Sequence, residues 1–77
     1  MEDEFIKKTV AMANGYAVFF SGMPDAEVMP FLDMQRQHMV AELAEKHGAD
    51  VAAQIAELFV EAVIKSRREI EAGGTVN

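Results

Sequence analysis

The stretch that most constrains the fold is the run from Asp50 to Ala72, DVAAQIAELFVEAVIKSRREIEA, the longest unbroken series of helix-favouring residues in the chain. Its apolar residues recur at helical spacing and form one broad stripe, made of Val51, Ile55, Leu58, Phe59, Ala62, Val63 and Ile70. That period is typical of an amphipathic helix with a wide apolar face. We therefore predict a helix over residues 50–72 on which the rest of the chain packs.

The small size of the chain limits how it can be stabilised. It has 77 residues, which is enough for one domain over residues 1–77 and buries only a modest fraction of its surface. It contains no cysteine, so disulfides and thiolate metal sites are excluded. Hydrophobic residues make up 51% of the chain, more than three short helices easily hide in one monomer. We therefore expect an apolar face to be buried against a second copy or another protein.

The charge of the chain argues against two classes of partner. The net charge is −6, and an acidic surface repels the phosphates of nucleic acids and the anionic surfaces of membranes. The apolar runs are interrupted by charge and fall short of the roughly 20 residues that a membrane span needs. The start of the chain, MEDEF, is acidic, unlike a secretory signal. We expect a cytoplasmic protein that contacts no membrane.

The first segment, over residues 3–20, predicts a helix with two adjacent apolar rows. One row contains Phe5, Thr9, Met12, Tyr16 and Phe19, and the other contains Ile6, Val10, Ala13, Ala17 and Phe20. The acids Glu2, Asp3 and Glu4 suit the positive end of a helix dipole. No charged residue occurs between Val10 and Asp25, so we expect the second half of this helix to be largely buried.

The pair Asn14-Gly15 leaves an alternative open within this segment. Asn-Gly is a turn signal, and the residues that follow it, YAVFF, have the composition of a strand. A strand needs a partner strand, and no other run in the chain predicts one. We favour an unbroken helix, in which Gly15 allows a neighbouring helix to come close at a cost of about 1 kcal/mol relative to alanine.

A break at residues 21–25 separates the first helix from a second, over about residues 27–46. Two positions for its start are compatible with Pro30: a short turn before the main helix, or a start near Glu27 with Pro30 in the first turn. Gly48 suits the position after a helix end, and Asp50 suits the N-cap of the third helix. Because the connection is so short, we expect the second and third helices to form an antiparallel hairpin. Gly73-Gly74 ends the third helix, and residues 73–77 form a tail.

Two groups of polar residues are candidates for chemistry. His38 and Glu42 lie four residues apart and could share a metal, but a metal site needs three or four ligands, so a surface pair is favoured. Lys65, Arg67 and Arg68 form the one basic cluster and could contact an anion or an acidic partner. Glu69 dilutes that cluster, so a solvated helix end is favoured and nucleic-acid binding is not expected.

Neither an enzyme nor a cofactor protein is expected. The chain lacks a nucleophile with a base near it in sequence, and its carboxylates fall on polar faces. Acyl carrier proteins are similarly short and acidic, and they carry their prosthetic group on a serine at the start of the second helix. The corresponding stretch here is Phe31-Leu32-Asp33-Met34, which has no serine. We therefore predict no cofactor and no metal.

The remaining candidate is a protein interface. The chain has six methionines, and methionine is common on surfaces that bind partners. The predicted interface residues lie in the first helix and in the segment after it: Met12, Tyr16, Phe19, Phe20, Met23 and Met29. We predict an all-α, three-helix domain that dimerises into a larger bundle and binds an unidentified partner protein as an accessory, adaptor or inhibitory protein. The alternatives are a nucleic-acid-linked regulator that uses the basic end of the third helix, and an acidic decoy of a nucleic-acid-binding protein.

Overall fold

A computed structural model describes residues 3–73, and over that range the chain forms three α-helices. They are α1, Asp3–Phe20; α2, Asp25–His47; and α3, Ala49–Glu71. No strand occurs within this range, so the prediction of an all-α, three-helix chain is confirmed. The expected role of Glu2 and the expected tail beyond Gly73 lie outside the described residues.

Helix α3 is the central element, because both α1 and α2 pack against it. The backbone extends 37 × 26 × 14 Å, so the molecule is thin in one direction. Having neighbours on two sides, α3 buries more than one stripe, and its buried residues are Ala52, Ile55, Ala56, Phe59, Val60, Val63, Ser66 and Arg67. Phe59 is the largest side chain that is completely enclosed. The prediction that this helix is the scaffold agrees with its place in the fold.

Helix α1 is buried along a single narrow stripe, consisting of Thr9, Ala13, Ala17 and Phe20. The expectation that its second half is largely buried is wrong, because Met12, Val18 and Phe19 are 40%, 58% and 74% exposed. The physical reason is that α1 lies at the edge of the molecule and packs mainly against α3. One helical neighbour covers one side of a helix, and the rest of the apolar residues remain outside.

The pair Asn14-Gly15 does not interrupt α1, which is helical through both residues. The hydroxyl of Ser66 on α3 donates a hydrogen bond of 2.6 Å to Oδ1 of Asn14. Gly15 is exposed, and a Cβ added to it would meet no atom within 4 Å. The expectation that Gly15 accommodates a neighbouring helix is therefore wrong within the single chain.

Helix α2 begins at Asp25, earlier than either start expected from the sequence. Pro24 is the N-cap residue, and Pro30 lies inside the helix. The ring of Pro30 removes the backbone N–H that would bond to the carbonyl oxygen of Ala26. Ala26 and Pro30 are both exposed, so water can solvate that carbonyl and the helix tolerates the proline.

Glycines with positive φ follow the ends of all three helices in the described range, and the one after α1 is Gly22, with φ of 85°. Gly48 has φ of 87° and ψ of 157° and is the only residue between α2 and α3; its N–H bonds to the carbonyl of Ala44. Gly73, with φ of 86°, follows the end of α3, as the sequence predicts. The N-cap of α3 is Gly48 and not Asp50, which instead lies in the first turn, where an acid still favours the helix dipole.

Candidate functional site

The main candidate site is an exposed aromatic surface where the end of α1 meets the start of α2. Phe19 is 74% exposed, and its ring lies 5.3 Å from that of buried Phe20. The ring of Phe20 stacks at 5.9 Å on that of Phe31, which is 53% exposed. Phe19 and Phe31 thus both contact the ring of Phe20, which brings two exposed aromatic side chains together. Grouped exposed apolar side chains are typical of interaction sites, whereas isolated ones are common on any protein.

Tyr16 connects this patch to the interior. Its ring lies 5.9 Å from that of Phe20 and meets the ring of buried Phe59 edge-on at 5.4 Å. The surface is therefore held by rings that are themselves packed in the core. We use the name α1–α2 apolar surface for Met12, Tyr16, Phe19 and Phe31 together with the buried Phe20 that joins them.

A shallow groove of about 350 Å³ runs along the α1 part of this surface. It is lined by Met12, Gly15, Tyr16 and Phe19, and these four residues are called the α1 groove below. The groove exists because Gly15 has no side chain between the larger residues on either side. Its lining contains no charged group, so an apolar side chain is the kind of group that it would accept.

Phe31 and Met34 extend the surface onto α2, and the sequence reasoning missed both. The apolar pattern of α2, with Phe31 on its apolar side and Met34 flanking it, predicts that both are at least partly buried, yet they are 53% and 67% exposed. The buried side of α2 is instead formed by Val28, Leu32 and Met39. The spacing of Val28, Leu32 and Met39 could have identified Met34 as exposed, because Met34 lies about 120° away from Val28 around the helix.

The predicted interface residues divide into three groups in the structure. Met12, Phe19 and Met29 are exposed, Tyr16 and Met23 are partly buried against the core, and Phe20 is buried at 5% exposure. Phe20 is thus a core residue, and its expected role as a surface contact needs correction. Met29 precedes Phe31 by two positions, which corresponds to about 160° around α2, so Met29 faces another side of the molecule.

The basic cluster at the end of α3 is divided by the fold. Arg67 is buried, and its guanidinium donates hydrogen bonds of 2.9 Å to the carboxylate of Asp25 and 2.8 Å to the carbonyl of Met23. The expectation of a solvated helix end is therefore wrong for Arg67. Lys65 and Arg68 are exposed and remain accessible to a partner. The orientation of α3 explains the difference, because Arg67 belongs to its buried side and its two neighbours do not.

The other polar candidates are surface groups. Nε2 of His38 and Oε1 of Glu42 are 3.0 Å apart, and both side chains are mostly exposed. His47, at the end of α2, meets the ring of Phe5 edge-on at 5.6 Å. Within residues 3–73, no three side chains of the metal-binding types come together. The predictions that the chain is not an enzyme and carries no cofactor stay predictions.

Exposed charged residues lie on all three helices. Arg36 on α2 bonds at 2.9 Å to Asp33 of its own helix and at 2.9 Å to Glu57 of α3. Lys8 is exposed one turn before Met12, and Glu27 is exposed in the first turn of α2. Along the chain, an exposed basic residue thus precedes the residues of the α1 groove and an exposed acidic residue follows them.

Within the range 3–73, no helix combines the length and the apolar character needed to cross a membrane. Comparisons of the chain with protein-family models, with curated proteins and with solved structures found no match.

Proposed function

We propose that this chain is a protein–protein interaction module that acts through the α1–α2 apolar surface. The observation that carries the proposal is the contact of exposed Phe19 with Phe20, and of Phe20 with exposed Phe31, which groups two exposed aromatic rings around one buried ring. Leaving a phenylalanine in water instead of burying it forgoes about 1.5–3 kcal/mol. A partner that covers Phe19 and Phe31 recovers much of that free energy on binding.

The role that fits best is a small accessory, adaptor or inhibitory protein of the cytoplasm. Such a protein works by covering a surface of its partner, and needs no catalytic group of its own. The partly buried Tyr16, packed on Phe59, supports this role because it anchors the surface on the core. An anchored surface loses little conformational entropy when it binds.

We further infer that α2 and α3 form an antiparallel hairpin and that the protein works as a homodimer. Two side-chain pairs support the hairpin: Arg36 with Glu57, and Asp25 with Arg67. Along α2 the residue number decreases from the first pair to the second, while along α3 it increases. The single linking residue, Gly48, also suits a sharp reversal.

The alternative of a nucleic-acid-linked regulator has less support. Arg67 is occupied by Asp25 and Met23, so Lys65 and Arg68 are the accessible members of the cluster. Glu61 and Glu69 line the same depression of the surface and reduce its positive potential. Two cations beside two acids are a poor site for a phosphate backbone.

The proposal is tested by comparing Phe19→Asp with Gln54→Asp, which adds the same charge at an exposed position of α3. Each variant and the wild type are examined by sedimentation velocity and by capture of binding proteins from the native host. We expect the wild type to associate with itself or retain a specific partner, Phe19→Asp to lose that association, and Gln54→Asp to keep it. A wild type that stays monomeric and retains no protein contradicts the proposal, as does equal loss in both variants.

A further inference from the structure

We propose that the occupant of the α1 groove is the α1 groove of a second copy of this chain, packed antiparallel about a two-fold axis between Gly15 and Tyr16. This inference rests on the proposed function, since it names the partner of one part of that surface. It commits to one orientation and one register of the two helices.

The pattern of the groove is self-complementary in that register. Met12 and Phe19 are equally distant from the midpoint between Gly15 and Tyr16. Rotation about an axis at the midpoint therefore places Phe19 of each copy against Met12 of the other, and Tyr16 of each against the bare backbone of Gly15. Large groups meet small or flexible ones throughout. A symmetric dimer requires such self-complementarity of a single surface.

The proposed dimer gives a structural reason for Gly15 in the middle of α1. A glycine in the middle of a helix costs about 1 kcal/mol relative to alanine, and within the single chain nothing packs against it. At the crossing point of two helices, the missing side chain lets the backbones come close and lets Tyr16 of the other copy lie over it. The groove and the glycine thus have one explanation.

The charges beside the groove select the antiparallel orientation. Lys8 is exposed one turn before Met12, and Glu27 is exposed beyond Phe19, at the start of α2. Antiparallel packing brings the Lys8 end of each copy to the Glu27 end of the other, whereas parallel packing sets lysine beside lysine. Opposite charges at the rim of an interface steer association and fix its register. Between these ends the exposed face of α1 is uncharged: Ala11, Met12, Gly15, Val18 and Phe19.

Because the chain contains no cysteine, single-cysteine variants report the register directly. With a helical rise of about 1.5 Å per residue, two copies of position 12 are offset by about 10 Å along the helices, and two copies of position 15 by about 1.5 Å. A disulfide needs Cα atoms within about 7 Å. Oxidation should therefore link Gly15→Cys to itself. It should not link Met12→Cys or Phe19→Cys to itself, but should link a mixture of those two variants to each other.

If Met12→Cys forms a disulfide with itself, and the mixture of Met12→Cys and Phe19→Cys forms no disulfide between the two variants, the dimer is parallel and the proposal is overturned. A wild type that is monomeric by sedimentation overturns the proposal too, whichever cysteine variants form disulfides. If that monomer still captures a partner protein through Phe19, the inference and the homodimer fail, while the proposed interaction module stands. If Phe19→Asp changes neither association nor capture, both fail.

Exchange of charges gives an independent readout that is insensitive to the packing of the core. Lys8→Glu alone and Glu27→Lys alone should each weaken the dimer about two- to thirtyfold in Kd, since each disrupts two exposed pairs. The double variant restores both pairs and should return Kd to within about threefold of the wild type at low salt. No recovery in the double variant contradicts the antiparallel register.

Discussion

The guanidinium of Arg67 on α3 lies 2.9 Å from the carboxylate of Asp25, at the first residue of α2. The same group bonds at 2.8 Å to the backbone carbonyl of Met23, in the turn between α1 and α2. One buried side chain therefore ties that turn to the third helix. The remaining nitrogen of Arg67, Nε, is buried and bonds to no atom of the described residues, so the hydrogen bonding of the guanidinium is incomplete.

Replacing Arg67 with methionine should lower the free energy of unfolding by about 1–3 kcal/mol, because charged hydrogen bonds are lost while the apolar stem is kept. Asp25→Asn should cost less than about 1 kcal/mol, since that carboxylate is mostly exposed and its attraction is screened. Urea unfolding in dilute solution measures both. A methionine variant as stable as the wild type means that desolvation of the guanidinium cancels its bonds.

Phe59 in the core and Phe19 on the surface should respond differently to truncation. Phe59→Ala should destabilise the chain by about 3–5 kcal/mol, because the ring is completely enclosed. Phe19→Ala should change the stability of the monomer by about 0.5 kcal/mol or less, because its ring is largely in water. Thermal unfolding in dilute solution separates them. A large loss for Phe19→Ala would show that its ring belongs to the core.

Pro30→Ala should stabilise the chain by about 1–3 kcal/mol, because alanine restores a backbone hydrogen bond to Ala26 and removes the clash of the ring. Pro24→Ala is the matched control, since Pro24 is the N-cap and needs no donor there. Its effect should be smaller. Chemical denaturation compares the two variants, and equal effects would contradict the placement of Pro30 inside the helix.

Gly48 and Gly15 should respond oppositely to alanine. Gly48 has φ of 87° and ψ of 157°, a region almost closed to other residues, so Gly48→Ala should cost about 1–3 kcal/mol. Gly15 is helical and exposed, so Gly15→Ala should raise the stability of the monomer by about 1 kcal/mol. Unfolding at a protein concentration low enough to keep the chain monomeric measures this difference. A gain at Gly48 would contradict its backbone conformation.

Much of the fold follows from local signals in the sequence. The spacing of Ile55, Phe59 and Val63 predicts α3, and Gly48 and Gly73 mark where helices end. The start of α2 at Asp25 does not follow, because tolerance of Pro30 depends on whether the carbonyl of Ala26 faces water. Exposure of that carbonyl is settled by packing between helices.

The candidate site was predictable only in part. The uncharged stretch after Val10 singles out α1, and it contains Met12 and Phe19, which the structure leaves exposed. The same stretch also suggested that Phe20 is a contact residue, although it is buried. Phe31 was missed because its place beside Phe20 results from a contact between two helices.

The sequence by itself determined that residues 3–73 form three helices and where glycine ends them, because helical periodicity and glycine act over a few residues. The tertiary structure alone decided which apolar side chains are covered. α1 and α2 each present a wide apolar side, but each packs mainly on α3, so one stripe is buried and the remainder faces water. It also decided the role of Arg67, whose buried position depends on the distant residues Met23 and Asp25. Burial of a side chain depends on its neighbours in space, and the fold determines which residues far apart in sequence become neighbours.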